Sequence, residues 1–366
     1  TVMERNQPLV RLGIEWQQNG VILPDTYLLD YDTILENARS IKQAGDANGV
    51  QNFFMLKQIG RNPLIARALT DMGYVGAVCV DFREALTMVE NQIPLGNVGH
   101  LVQIPRAALK KILRAKPVIV TVYTLEKARE ISAVCTELGL HQKLMLRVLG
   151  EGDMLYSGQY GGFELQELDS AVRAIEAMPN VEVGGVCSFP CFLYDEAAQD
   201  ILPMPNLRTV QTAAEMLRAR GYRDLMLNTP SATCTHSIPM IAAAGGTHGE
   251  PGHGLTGTTP YHAGHPDAEE RPGYLYVSEV SHNLGDKAYC YGGGHYRRGH
   301  MKNALVGTTP ENAKVVPVLP PDDSSIDYHF ELQQNCPVSA AAVMAFRTQF
   351  FVTRSRVAVV KGLSSG

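Results

Sequence analysis

VIVTVYTLEKAREISAVCTELGLHQKLMLRV, residues 118–148, reads as a strand, a helix and a second strand. VIVTV (118–122) and LMLRV (144–148) are short apolar runs. Between them Thr124 opens a stretch whose apolar residues return every three to four positions, the mark of an amphipathic helix. Apolar strands joined by a helix form a parallel crossover, because parallel neighbours need a long connection. The unit repeats in both directions. FFML (53–56), GAVCV (76–80), VGHLV (98–102), VGGVC (183–187), LMLN (225–228) and the run GTHGEPG (246–252) are the other strand candidates, with helical patterns between them. Asn62-Pro63 is a cap and first-turn pair for one of those helices. Eight strands alternating with helices predict a (β/α)8 TIM barrel. An open doubly wound sheet is the alternative and usually uses fewer strands.

TYLLD (26–30) precedes the first unit, and the barrel domain is expected to span 24–262. Beyond it the texture changes. HPDAEERPG is polar, helical periodicity stops, and YLYVSEV, KAYCY, KVVPV and FRTQFFVTRSRVAVV are rich in β-branched and aromatic residues. An antiparallel β domain is expected over 263–366, with residues 1–23 as a candidate addition to it.

The 366 residues, 45% of them hydrophobic, suffice for a large core plus a smaller domain. Charged residues make up 19%, and the net charge of −5 argues against nucleic acid as a partner. No apolar run reaches membrane-spanning length, and TVMERNQP lacks the character of a signal peptide. The seven cysteines are scattered and contain no CxxC pair. They read as reduced thiols of a cytoplasmic protein. Eight of the eleven histidines fall between 236 and 300, but none stands at convincing ligand spacing to a cysteine or carboxylate, so no metal site is expected.

In a barrel of this kind chemistry lies at the C-terminal strand ends. Lys57 closes the first strand, Arg147 lies on the fifth, Cys187-Ser188-Phe189 ends the sixth, Asn228 ends the seventh, and His248 and Glu250 lie on the eighth. From position alone Lys57 is either a lysine snorkelling to the rim or an amine of lowered pKa, and snorkelling is the commoner fate. NTPSATCT (228–235) and GEPGHGLTG (249–257) are either ordinary turns or a phosphate cradle. GHGLTG (252–257) matches GxGxxG but opens no helix and stands at the end of the alternating region, so it is not a dinucleotide fingerprint.

These segments resemble the fold-type III pyridoxal-phosphate enzymes, namely alanine racemases and the barrel-type ornithine and diaminopimelate decarboxylases. The resemblance covers nearly the whole chain and is closest to the alanine-racemase-like YhfX-like branch. It implies a barrel followed by a β domain and a homodimer with the active site at the interface. FFMLKQIG is similar to the segment bearing the cofactor lysine, which makes Lys57 the expected Schiff-base residue. LMLRVLG with SGQYGGF resembles the arginine segment and its loop, implying Arg147 as a cofactor contact. In GVCSFPC, Phe189 stands where the family has a histidine packed on the pyridine ring. NTPSATC implies Ser231 as a phosphate ligand. GEPGH resembles the decarboxylases' GEPGR, implying Glu250 at the pyridine nitrogen and Gly252 at the phosphate, with His253 in place of the arginine. GDKAYCYGGG resembles the racemase turn that carries a catalytic tyrosine, implying Tyr291, with Cys290 beside it as a second candidate; simple strand packing explains either residue equally well.

The implied activity is a pyridoxal 5'-phosphate-dependent racemase or epimerase acting at the α-carbon of a small amino acid. Decarboxylation, D-amino acid dehydration and non-catalytic cofactor binding are the alternatives. Glu250 weighs against strict alanine racemase activity, because alanine racemases typically place an arginine at this position.

Overall fold

The computed structural model describes residues 2–319 and 321–363; the expected domain limits at residues 1 and 366 lie outside them. The chain divides into two compact units. One comprises residues 38–56 and 61–254, and the other 1–37, 57–60 and 255–366.

The first unit is a parallel barrel. Among the described residues, eight strand positions follow one another around it: 51–55, Ala77–Cys79, Leu95–Val98, Ile119–Val122, Gln142–Leu149, Val181–Cys187, Met226–Asn228 and His248–Gly249. The first is split at Phe53 into Gln51–Asn52 and Phe54–Met55. It closes the ring by pairing on both sides: Phe53 N–H donates to Gly249 O at 3.0 Å and Phe54 N–H to Gly76 O at 3.1 Å. The strands are almost continuously buried, as parallel strands covered on both faces must be. The helices between them start where the sequence places caps. Asn62 accepts from Leu64 and Ile65 N–H, Asp81 from Arg83 N–H and Thr124 from Lys127 N–H. One strand differs from its expected place. VGHLV is assigned three residues too late, so His100 lies two residues beyond the strand end. The connection after the sixth strand is not a plain loop but contains a hairpin, Phe192–Asp195 with Asp200–Pro203.

The second unit is built on antiparallel strands. Tyr274–Leu284, Lys287–Tyr291, His329–Leu332, Lys314–Leu319, Asn303–Gly307 and Ala341–Met344 pair in that order and return to Tyr274–Leu284, a closed six-stranded barrel. Thr26–Asp30 joins this sheet, antiparallel to Tyr274–Leu284 and parallel to Arg356–Val360. This corrects the expectation that TYLLD belongs with the parallel barrel. All five of its residues are buried, and an apolar strand without alternation carries no sign of which sheet takes it. The second unit also resumes at Leu255 rather than at 263. Helix Gln7–Gln18 buries Leu9, Val10 and Ile14 against Leu28, Leu275, Val277 and Val343 of the sheet.

Gly13 is where that helix touches the sheet. A Cβ there would lie 2.7 Å from Leu275 Cδ2 and 3.3 Å from Val277 Cγ2. Gly13→Leu should therefore overpack this seam and cost about 1–3 kcal/mol, read as a lower denaturant midpoint; an unchanged midpoint would mean that the helix does not dock here. His248 supplies a pH-dependent prediction. Its ring stacks on Phe53 at 5.1 Å, and burial pushes its pKa down to about 4. In the unfolded chain a histidine titrates at about 6.5. The unfolded state therefore binds the proton first, so stability is full above about pH 6.5 and falls as pH drops toward about 4, by on the order of 3 kcal/mol. His248→Phe should flatten the melting temperature over that window, while an equally steep profile would assign the loss to other groups.

Candidate active site

The carboxylate of Glu250 occupies the barrel interior. Glu250 directly follows strand His248–Gly249, and its side chain is 2% exposed. A buried carboxylate is tolerated only when donors surround it. Asn228, at the end of the seventh strand, donates from Nδ2 to Glu250 Oε1 at 2.7 Å. Asn97, on the third strand, donates to the same oxygen at 3.1 Å. The third and eighth strands are not neighbours, so this bond crosses the lumen. Thr121 on the fourth strand donates to Asn97 Oδ1 at 2.7 Å, which fixes the amide with its nitrogen toward Glu250. The Glu250 N–H in turn donates to Thr233 Oγ1 at 3.2 Å. On the other oxygen, Oε2, His100 Nε2 stands at 3.8 Å.

Arg147 is fully buried on the fifth strand. It donates to the Tyr123 hydroxyl and to Gln159 O, both at 2.8 Å, and lies over the Tyr123 ring at 5.0 Å. Its Nε has no hydrogen-bond partner. The Tyr123 hydroxyl donates to His100 O. Burial raises the Tyr123 pKa, and the Arg147 charge opposes that rise. Gly161 and Gly162 let the following loop pass over these groups. A Cβ on Gly162 would come within 2.7 Å of Arg147 O, and one on Gly161 within 2.7 Å of the Tyr123 ring. The loop's other end is held by Asn206, whose amide bonds both the N–H and the C=O of Met154.

Phe189 meets His100 edge-on at 5.7 Å and Tyr156 at 5.6 Å, so an aromatic line runs from the loop toward Glu250. Ser231 and Ala232 have φ of 98° and 52°. Two consecutive non-glycine residues in the left-handed region mark a tight, unusual turn at this strand end. Beside them Thr229 Oγ1 is buried with no hydrogen-bond partner. Gly254 packs against Thr233 O with no space for a side chain, which brings the turn holding Gly252 and His253 next to the Ser231 loop.

The remaining expected residues lie in the second unit. Lys57 is 8% exposed, so it does not snorkel into solvent. Its carbonyl accepts from Phe350 N–H at 3.0 Å, and Phe350 stacks on Tyr27 at 4.2 Å. In sequence it follows the first barrel strand by two residues. Tyr291 and Cys290, adjacent on one strand, point to opposite faces. Tyr291 is 39% exposed, whereas Cys290 is fully buried and its thiol is pushed up to about 12 by burial. Cys290 is thus a core residue in this unit, whereas Tyr291 reaches its surface. Among the described residues no three His, Cys, Asp or Glu side chains gather as a metal site, and no helix is long and apolar enough to cross a membrane.

Asn97, His100, Thr121 and Tyr123 were not singled out from sequence. Their signal is only positional: each lies on, or just past, a barrel strand near its C-terminal end.

Comparison with known proteins agrees with this architecture. Residues 29–260 match the family described as alanine racemase, N-terminal domain, and residues 275–366 match YhfX-like, C-terminal domain. The chain is 43% identical over 364 residues to a protein of Escherichia coli (strain K12) named uncharacterized protein YhfX, covering 99% of this chain and 94% of that one. Among solved structures, alanine racemase from Corynebacterium glutamicum superposes with a TM-score of 0.63 at 16% identity, over 93% of this chain and 100% of that one. D-threonine aldolase from Filomicrobium marinum does so with a TM-score of 0.63 at 16% identity, over 88% and 86%. At that identity the structures speak for the fold alone. The family matches and the full-length relative go further: the chain belongs to the alanine racemase-like family, in its branch with a YhfX-like C-terminal domain.

Proposed function

We propose that this protein is a pyridoxal 5'-phosphate-dependent racemase or epimerase acting at the α-carbon of a small amino acid. The observation that supports the reading is the buried Glu250 carboxylate at the C-terminal strand ends, with one oxygen accepting from the Asn97 and Asn228 amides and the other 3.8 Å from His100 Nε2. Such a group is matched to a cationic ring nitrogen. The residues present fit the rest of the cofactor. Lys57 is the amine that anchors it, Phe189 offers an aromatic face, and Arg147 a buried positive charge. The turn at Ser231–Ala232, with Gly252 and His253 beside it, is where the phosphate would sit, as the resemblance implies. When bound, pyridoxal phosphate supplies the electron sink for bond breaking at the α-carbon.

The chain's own groups divide the remaining work. Glu250 favours a protonated ring nitrogen, because opposite charges stabilise one another. Lys57 exchanges a proton on one face of the α-carbon. Tyr291, exposed on the second unit, serves the opposite face in a partner subunit, which makes a homodimer the active form. The seven buried free thiols suit a reducing compartment such as the cytoplasm. Because Glu250 strengthens the electron sink, amino acid decarboxylation is the second reading.

Borohydride reduction after incubation with pyridoxal phosphate, followed by peptide mapping, tests the anchor. A phosphopyridoxyl group on Lys57, lost in Lys57→Ala, is expected; an unmodified chain, or the same adduct elsewhere in both proteins, would overturn the assignment. Tyr291→Phe should slow α-hydrogen exchange by roughly 10²- to 10⁴-fold from one enantiomer and much less from the other. Equal loss from both would argue against a two-face scheme, and measuring solvent deuterium uptake into each enantiomer decides it.

A further inference from the structure

Tyr291 is the last residue of its strand, and it reaches the surface of the second unit. It is 39% exposed, and its ring meets His329 at 5.8 Å. A ring so open to solvent takes its direction from the main chain that carries it. That main chain is tied on both sides of the residue. Ser278 Oγ donates to Tyr291 O at 2.6 Å, and the Gly292 N–H donates to Tyr328 O at 2.8 Å. The next three residues are held in turn. Gly293 O accepts from the Arg354 N–H at 3.3 Å, Gly294 O from the Tyr27 hydroxyl at 2.6 Å, and the His295 N–H donates to Asp327 Oδ2 at 3.2 Å. All of these groups belong to the second unit.

Asp327 gathers these ties. Its φ is 61°, in the left-handed region that a non-glycine residue enters at a cost. Its carboxylate lies along the glycine turn: Oδ2 takes the His295 N–H, and a Cβ on Gly292 would stand 3.0 Å from Oδ1. Its carbonyl accepts from Arg354 Nη2 at 2.7 Å, and the N–H of the same arginine is the donor to Gly293 O. Its neighbour Tyr328 supplies the acceptor for Gly292. Asp25, also left-handed with φ of 63°, sets its carboxylate against Gly293 and leaves no room for a Cβ there. Two glycines follow Tyr291 because two aspartates press on the turn.

We propose that Asp327 is a positioning residue for Tyr291: through the turn 292–295 it fixes the direction in which the tyrosine leaves the surface of the unit. Its bearing on catalysis rests on the reading above, in which Tyr291 exchanges a proton on one face of the α-carbon. Proton transfer needs the hydroxyl within hydrogen-bond reach, so a turn that drifts costs rate. The clamp itself does not rest on that reading.

The full chain labelled with 3-fluorotyrosine, with no cofactor added, tests the clamp by ¹⁹F NMR. The line of residue 291 is identified by its loss in Tyr291→Phe. Asp327→Gly tolerates the positive φ and removes the carboxylate, and the line should shift or broaden. Asp327→Asn keeps the left-handed backbone and an acceptor for the His295 N–H, and should restore the wild-type line. If Asp327→Gly does not fold, Arg354→Met removes the bond to Asp327 O from an exposed side chain and should move the same line. A line unchanged in the folded variant, or changed as much by Asp327→Asn, would overturn the proposal. With pyridoxal phosphate bound, and D- and L-alanine and serine as probes, solvent deuterium uptake is the second readout. Asp327→Gly should slow exchange by roughly 10- to 10²-fold from the enantiomer that Tyr291→Phe slows, and add nothing to that loss in the double variant. Loss from the other enantiomer, or loss that adds to that of Tyr291→Phe, would also overturn it. A moved ¹⁹F line with no effect of Tyr291→Phe on exchange would retain the clamp and discard the role of Tyr291 in proton transfer.

Discussion

A carboxylate enclosed in a parallel barrel is costly unless N–H groups converge on it, and the interior of this barrel is arranged around that requirement. Glu250 directly follows strand His248–Gly249, and its donors come from the third and seventh strands. Bringing Asn97, Asn228 and Glu250 to one level requires the ring to be closed. The pairing of residues 51–55 with both neighbours closes it. A shift of one residue in any of these strands would turn its donor to the helical face and leave a buried charge unmatched. Barrel closure and the chemistry of the site are thus one constraint.

The parts of the fold that were legible in the sequence are those with a period or a cap. Asn62-Pro63 and Thr124 start helices where their side chains say they should, and apolar strands alternate with those helices around the ring. TYLLD was legible as a strand but not as a member of the antiparallel sheet, since five consecutive buried residues look alike in either setting. Glu250, Arg147 and Asn228 were visible because polar residues closing apolar runs are conspicuous. Asn97, Thr121 and His100 were not. Asparagine beside glycine in LGNVGH reads as a turn, and only the lumen-crossing bond to Glu250 shows that Asn97 points inward.

Adjacent residues can be opposite in role, and a sequence does not say which face is which. Cys290 and Tyr291 share a strand, yet one is sealed in the second unit's core and the other reaches solvent. Lys57 is the converse case. Its position allowed a solvent-reaching side chain, but its burial points away from that, and the chain around it is tied to the C-terminal segment through Phe350.

The central claim is that Glu250 keeps a cofactor ring nitrogen protonated. Loading the full chain with pyridoxal phosphate labelled with ¹⁵N in the ring, and recording the ring-nitrogen resonance at neutral pH, tests it most directly. The account predicts a protonated nitrogen in the wild type and an unprotonated one in Glu250→Gln. An unprotonated nitrogen in the wild type would contradict it.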